Sequence, residues 1–163
     1  MPKIQGLTFE IVSTNQEADE LAAEGLEFRS QDGIDRERLD RGAVAFCAFV
    51  EKELAHIGWV AMTEEAKKMV DSLPYKVDFA DNEVCMGGVW TNPKYRRMGL
   101  LAYTDFKEHQ FLKERGIVKS RASIVATNIA SQRGVAKFGA KMYAEAHYSR
   151  VLWWKSWKEK PLA

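Results

Sequence analysis

Cysteine is scarce in this chain: Cys47 and Cys85 are the two among 163 residues. Two cysteines build neither a disulfide framework nor a zinc cluster. Each lies in an apolar run, so both read as small buried hydrophobes. An excess of charge of one sign is missing too. Lys and Arg number 24 against 23 Asp and Glu, a net charge of +1. Non-specific nucleic-acid binding rests on neutralising phosphates, and polybasic membrane attachment on a local cationic surplus, so the balance argues against both partners. Prolines number four, and no Pro/Gly/Ser-rich stretch divides the chain, so a single domain over 1–163 is expected. Long hydrophobic runs are absent. The longest, Ala43–Val50, falls far short of the ~20 residues that cross a bilayer. The opening Met-Pro-Lys-Ile-Gln-Gly has no apolar core of a secretory signal. The expected location is cytoplasmic.

What is present suits a folded domain. Hydrophobic residues are 46% and charged residues 29%, an ordinary globular composition. A strand is predicted over Thr8–Ser13 by alternation, then a helix capped by Asn15 and running to Glu24. Ile34–Arg41 reads as a short charged helix closed by Gly42. Ala43–Val50 and Leu54–Met62 form a predicted hairpin, and Thr63 caps a helix to Val70. Glu83–Thr91 reads as a strand interrupted by Gly87-Gly88, which marks a bulge or a close approach of backbone or ligand. Met98–Arg115 is the longest helix, Lys119–Ala126 a strand, and Asn128 caps a helix to Phe138. Lys141–Trp157 holds one or two final strands. The order β-α-α-β-β-α-β-α-β-α-β-β predicts an α/β fold: a six- to seven-stranded mixed, mostly antiparallel sheet with helices on both faces.

The chemistry concentrates where a strand ends and a helix begins, at Val89-Trp90-Thr91-Asn92-Pro93-Lys94-Tyr95-Arg96-Arg97-Met98-Gly99-Leu100-Leu101. The first turn of a helix offers unpaired N–H groups and partial positive charge, which suits phosphate. Gly99 lets an anion approach the backbone without a Cβ in the way, and Arg96 and Arg97 add charge-assisted hydrogen bonds. Lys94 adds to the local positive charge.

Pro93–Gly99 resembles the acetyl-CoA motif of the GNAT acyltransferase superfamily, an Arg/Gln-x-x-Gly-x-Gly/Ala pattern after the fourth strand. Asn128-Ile129-Ala130-Ser131 through Lys137-Phe138-Gly139 resembles the same family's Asn-x-x-Ser/Ala helix, and Ile57-Gly58-Trp59-Val60 its third strand. The resemblance implies an acetyl-CoA-dependent N-acetyltransferase without a metal, acting on a primary amine of a small molecule or protein. Trp90 and Thr91 would offer backbone groups to the pantetheine arm. The amides of Arg96, Arg97, Met98, Gly99, Leu100 and Leu101 would hold the pyrophosphate, and Asn128 and Ser131 would lie along the thiol end. Two departures stand out. Leu101 occupies a position where Gly or Ala is usual, and Val135 one where many members carry the tyrosine that protonates the leaving thiolate.

Attack on a thioester needs a neutral amine, and a lysine-type amine has a pKa near 10.4. Glu83 is the first candidate base, since period-two counting places it with Cys85, Gly87, Val89 and Thr91 on one strand face. Asp78 and Asp81 are candidates for binding a cationic acceptor. Tyr143 is the candidate acid. Asp105 and His109, four apart on the long helix, read as a structural pair. Trp153-Trp154-Lys155-Ser156-Trp157-Lys158 reads as a final strand with a Trp-rich subunit face, which admits a homodimer. Two rival readings are a non-catalytic acyl-CoA-binding sensor or interaction module, and an RNA- or protein-binding tail.

Overall fold

Ala43–Val50 is apolar at every position and buried at every position, and it forms β2. Its neighbour β3, Glu53–Ala61, is buried from Leu54 onward. The turn between them is two residues long, and Glu51 and Lys52 both take positive φ (50° and 77°). That is the geometry whose twist matches paired strands. The coordinates are a computed structural model, and they describe residues 2–162.

Two units make up the described chain. One runs to Ser72 and resumes over Val77–Ser123; the other comprises Leu73–Lys76 and the chain from Ile124 onward. The first holds a five-stranded sheet of order β1-β2-β3-β4-β5, where β1 is Leu7–Val12, β4 Glu83–Thr91 and β5 Lys119–Arg121. All neighbours are antiparallel except β4 and β5, which run parallel. The crossover between those two is the helix α4, Leu100–Glu114. Three shorter helices precede it: α1 Asn15–Ala23, α2 Asp35–Asp40 and α3 Glu64–Val70. The second unit holds α5, Ile129–Ala136, and a separate two-stranded sheet of β6, Ala144–Val151, and β7, Trp154–Pro161.

The element order matches the sequence expectation throughout, and the mixed α/β class holds. One sheet of six or seven strands is replaced by a sheet of five and a sheet of two. β5 stops at Arg121 instead of reaching Ala126. The cap of α1 also differs. Thr14, not Asn15, accepts from Glu17 N–H, and Glu17 returns the bond to the backbone of Thr14. This reciprocal box satisfies two donors that a lone Asn could not. Asn15 instead reaches Asp40 through its side-chain amide, at 2.6 Å.

The two faces of the sheet are covered differently. Val44, Phe46, Val60 and Val84 point to α4 and pack on Phe111 and Leu112. Burying a side chain such as Phe46, which is wholly enclosed, contributes about 1.5–3 kcal/mol. Trp59 and Cys47 point the other way. There Arg38 of α2 lies 5.3 Å over the Trp59 ring and Phe28 meets it edge-on. Both cysteines are free and buried, and burial pushes the Cys47 thiol up.

Candidate functional site

The two halves of β4 differ. From Glu83 to Cys85 it pairs with β5, and the pairing with β3 begins at Cys85. Beyond Cys85 the β5 ladder ends, while the β3 ladder continues through a break in register. Trp59 opposes Gly87 and Ile57 opposes Trp90, so β4 spends three steps where β3 spends two. The extra residue is a bulge, with Gly88 at φ 57°. A Cβ on Gly88 would meet Trp59 Cδ1 at 2.9 Å and Arg38 Cζ at 3.6 Å. Glycine is required here for both backbone and space. The Gly87-Gly88 pair was legible in the sequence as this bulge.

The bulge corrects the period-two counting. An added residue reverses the facing of everything after it. Glu83, Cys85 and Gly87 share the Trp59 face with Trp90, whereas Thr91 shares the opposite face with His56. His56 is wholly buried, and its Nδ1 lies 2.7 Å from Thr91 Oγ1. Burial lowers its pKa to about 4, so the ring is neutral at pH 7. Trp90 donates its indole N–H to Gln31 at 3.2 Å.

Past Thr91 the chain makes one tight turn, Pro93–Tyr95, with the Asn92 side chain accepting from Lys94 N–H. Glu53 anchors this turn. It accepts from Tyr95 hydroxyl at 2.6 Å, from Lys94 at 2.9 Å and from the Asn92 amide at 3.0 Å. These donors hold Glu53 below the usual carboxylate range. Lys94 is therefore engaged with Glu53 and the Tyr95 ring, and its pKa is raised by both. It is not part of the free positive charge that the sequence suggested. Arg96 and Arg97 are exposed, and Arg96 Nε reaches the Thr91 carbonyl at 3.4 Å. Arg97 and Gly99 both adopt left-handed backbone (φ 65° and 81°), and a Cβ on Gly99 would meet nothing within 4 Å. The amides of Leu100, Leu101 and Ala102 open α4 ahead of the bond from Tyr103 N–H to the Gly99 carbonyl. Exposed guanidiniums, an open glycine and first-turn amides make a site that fits a phosphate group. Leu100 itself is buried, whereas Met98 is exposed.

The other half of β4 is occupied by structure. Glu83 takes two bonds from Arg121, at 2.6 and 3.0 Å, and one from Asp78 N–H at 3.0 Å. Those donors, led by Arg121, hold its pKa at about 2. A carboxylate so stabilised is a poor proton acceptor at neutral pH. It also starts its strand, roughly 13 Å along β4 from Gly87 at the usual rise per residue. The candidate base is thus an ion-pairing residue that ties β4 to β5. Asp81 is bound to Lys119 at 2.8 Å, and the Asp78 side chain caps its own short turn. Neither expected acceptor-binding aspartate is directed to the bulge.

A buried polar strip lies between α4 and β3. A Cβ on Gly58 would run into Glu108 Oε1, and would lie 3.6 Å from the Thr104 methyl. Glu108 is wholly enclosed, and burial with Asp105 beside it pushes its pKa well up. Burial raises Asp105 to about 6. His109 takes up the Asp105 backbone carbonyl through Nδ1 at 2.7 Å, so this pair is structural. Among the described residues no cluster of His, Cys, Asp or Glu could hold a metal. No helix among them is long and apolar enough to cross a membrane.

In the second unit Asn128 caps α5 by accepting from Ser131 N–H at 3.1 Å, as the spacing predicted. Tyr143 directly precedes β6, and its carbonyl accepts from Leu162 N–H. Leu152, Trp153 and Trp154 form the exposed tip of the β6–β7 hairpin.

No family model and no curated protein matches this chain. Solved structures do. An acetyltransferase of the GNAT family from Streptococcus pneumoniae matches 96% of this chain and 99% of its own, with a TM-score of 0.58 at 12% identity. The fold is the GNAT fold. An aminoglycoside acetyltransferase from an uncultured soil metagenomic sample, crystallised with trehalose, covers 90% of this chain and 97% of its own at TM-score 0.60 and 11% identity. The aminoglycoside N-acetyltransferase AAC(6')-Iy, crystallised with CoA, covers 91% and 98% at TM-score 0.58 and 15% identity. On the GNAT fold of this chain, the open half of β4 leads directly into the basic turn at the head of α4.

Proposed function

We propose that this protein is an acyltransferase that moves an acetyl group from acetyl-CoA to a primary amine. The observation that carries the reading is the end of the β4–β5 ladder at Cys85, followed along β4 by the bulge and the exposed Arg96–Gly99 turn. Acetyl-CoA supplies an activated acyl thioester and a tolerable thiolate leaving group. Arg96, Arg97 and the first amides of α4 would hold its pyrophosphate. The backbone of Trp90 and Thr91, unpaired with β5, would hold the pantetheine arm in the manner of an added strand. Asn128 and Ser131 remain proposed contacts toward the thiol, as the resemblance implies. His56 fixes the Thr91 side chain from beneath, which steadies the gripping end of β4.

The chemistry on the protein side follows. The acceptor loses a proton, its nitrogen attacks the thioester carbonyl, and β4 amides stabilise the charge that develops on oxygen. The C–S bond then breaks, the thiolate leaves, and the second proton of the attacking nitrogen is released. Tyr143 is retained as the proposed acid, in the absence of a tyrosine at Val135.

Calorimetry tests the anion site. Arg96→Ala with Arg97→Ala should weaken acetyl-CoA by roughly 100-fold, as expected for two lost charge-assisted contacts. Lys158→Ala should leave affinity within about twofold. Equal losses in both proteins count against the site.

A further inference from the structure

The β6–β7 hairpin ends in a way that folding alone does not favour. Val151 and Trp154 close the ladder, and the two residues between them, Leu152 and Trp153, make the turn. All four are apolar and exposed, from 65% at Val151 to 87% at Trp153. Leu152 takes left-handed backbone, φ 53°, where glycine or asparagine is the ordinary occupant. The β2–β3 turn is also two residues long and fills those positions with Glu51 and Lys52. Directly behind the apolar tip, Arg150 faces Lys155 across the ladder. Like charges directly opposed across a sheet destabilise it. Among the described residues no ion pair engages Arg150, Lys155, Lys158 or Lys160. Arg150 Nε donates to the Leu152 carbonyl at 3.3 Å, and Glu159 accepts from the Trp157 indole at 3.1 Å. The unit that carries the hairpin holds eight Lys and Arg against two acids, Glu145 and Glu159, a net charge of +6. The overall +1 therefore averages a basic unit with an acidic one.

We propose that this tip docks on an anionic bilayer surface, with Val151, Leu152, Trp153 and Trp154 entering the interface and Arg150 and Lys155 meeting lipid phosphates behind them. Each feature that costs the hairpin stability in water becomes favourable there. Indole rings settle at the level of the head groups, and aliphatic side chains gain from reaching the acyl boundary. Each basic residue near an anionic leaflet strengthens binding roughly fivefold. Phosphates between Arg150 and Lys155 turn a repulsion into two charge-assisted contacts. The hairpin rests at the surface and does not span, since a two-stranded sheet leaves its outer edges unpaired. A fluid surface also suits a protruding tip, which then needs no matching cavity. A nucleic acid would stack on the indoles, but Val151 and Leu152, half of the tip, present no π face. A second hairpin would set Arg150 and Lys155 against their own copies.

Co-sedimentation of the full chain with vesicles tests the proposal. The protein should pellet with phosphatidylcholine vesicles carrying roughly 30% phosphatidylserine, and bind phosphatidylcholine alone roughly tenfold more weakly. Salt at about 0.5 M should release most of it. Trp153→Ala with Trp154→Ala should weaken partitioning by roughly tenfold or more, and Arg150→Gln with Lys155→Gln by a similar factor. Lys113→Gln, exposed on α4, should change it by less than about twofold. Leu152→Gly separates docking from folding. Glycine suits φ 53°, so this variant should unfold at the same or a higher temperature while binding vesicles more weakly. Equal pelleting with neutral and anionic vesicles, or none with either, overturns the proposal. So does undiminished binding by the Trp153→Ala, Trp154→Ala variant. If the chain instead self-associates without lipid and the same substitutions abolish it, the tip belongs to a second copy and the lipid assignment falls. If it retards single-stranded RNA and does not pellet with vesicles, the assignment falls as well.

Discussion

One strand, β4, shows two kinds of backbone within nine residues. Glu83–Cys85 is paired with β5, buried, and locked to it by Arg121. Gly87–Thr91 is paired on one side, bulged and partly exposed. The first half is held by the β5 ladder and by the Glu83–Arg121 pair. The second has a free edge, two glycines and a basic turn directly beyond it. A sheet edge with unsatisfied backbone attracts a partner, and a bulge beside it re-aims side chains. The difference teaches that a titratable residue on the right strand is not thereby in the right place.

The contrast breaks most sharply at Gly88. Gly88→Val places a β-branched residue at φ 57° against Trp59, and should cost about 3 kcal/mol or more in chemical denaturation. The exposed neighbour change Val89→Ala should cost well under about 1 kcal/mol. A smaller penalty at Gly88 than at Val89 would remove the bulge from the account.

Gly99 and Gly116 sharpen it next. They bracket α4 with similar left-handed backbone (φ 81° and 72°), and neither has an atom within 4 Å of a would-be Cβ. Changing either to Val should therefore cost a similar about 1–2 kcal/mol of stability. Gly99→Val alone should also weaken acetyl-CoA, by roughly tenfold or more, because its Cβ enters the anion site. Equal affinities in the two variants would place the ligand elsewhere.

Glu83 is the next in size. Its folded pKa of about 2 lies below the unfolded value, so its contribution is present above about pH 4.5 and disappears as pH falls toward 2. Glu83→Gln should lose about 1 kcal/mol at pH 7, with Arg121 partly open to solvent, and converge with the wild type near pH 2. Its kcat should stay within about twofold. A hundredfold fall in kcat would restore Glu83 as the base.

Glu108 gives the smallest expected change, with the opposite sign. Its folded pKa lies above the unfolded value, so the burial cost grows as pH rises from about 4.5 toward the folded value. Glu108→Gln should match the wild type below about pH 4 and be more stable by about 1 kcal/mol at pH 7. Equal pH profiles in thermal unfolding would show that Glu108 is not buried as an acid.

Much of this was legible locally. β2 and β4 have the residue bounds that their patterns predict, because hydrophobic runs and turn signals act over a few residues. Thr63 and Asn128 cap the helices they were expected to cap, and Gly87-Gly88 marks the bulge. The misreadings depend on distant partners. Arg121 reaches Glu83 across 38 positions, and Tyr95 reaches Glu53 across 42. No periodicity encodes such pairs, and each reassigned a charged group. The parity of Thr91 failed for a different reason: the glycine pair announced the bulge, and the bulge changed the count that followed it. Composition behaved similarly. The net charge of +1 conceals an uneven distribution, since beyond Glu114 the acids are Glu145 and Glu159 alone.

The central claim is that the open half of β4 and the head of α4 form one ligand site. Titrating acetyl-CoA into the isotopically labelled protein and following backbone amides tests it residue by residue. The account predicts saturable shifts concentrated at Gly87–Thr91 and Arg96–Leu101, with Glu83–Cys85 little changed. Shifts centred on Glu83–Cys85, or none with ligand at millimolar concentration, would contradict it.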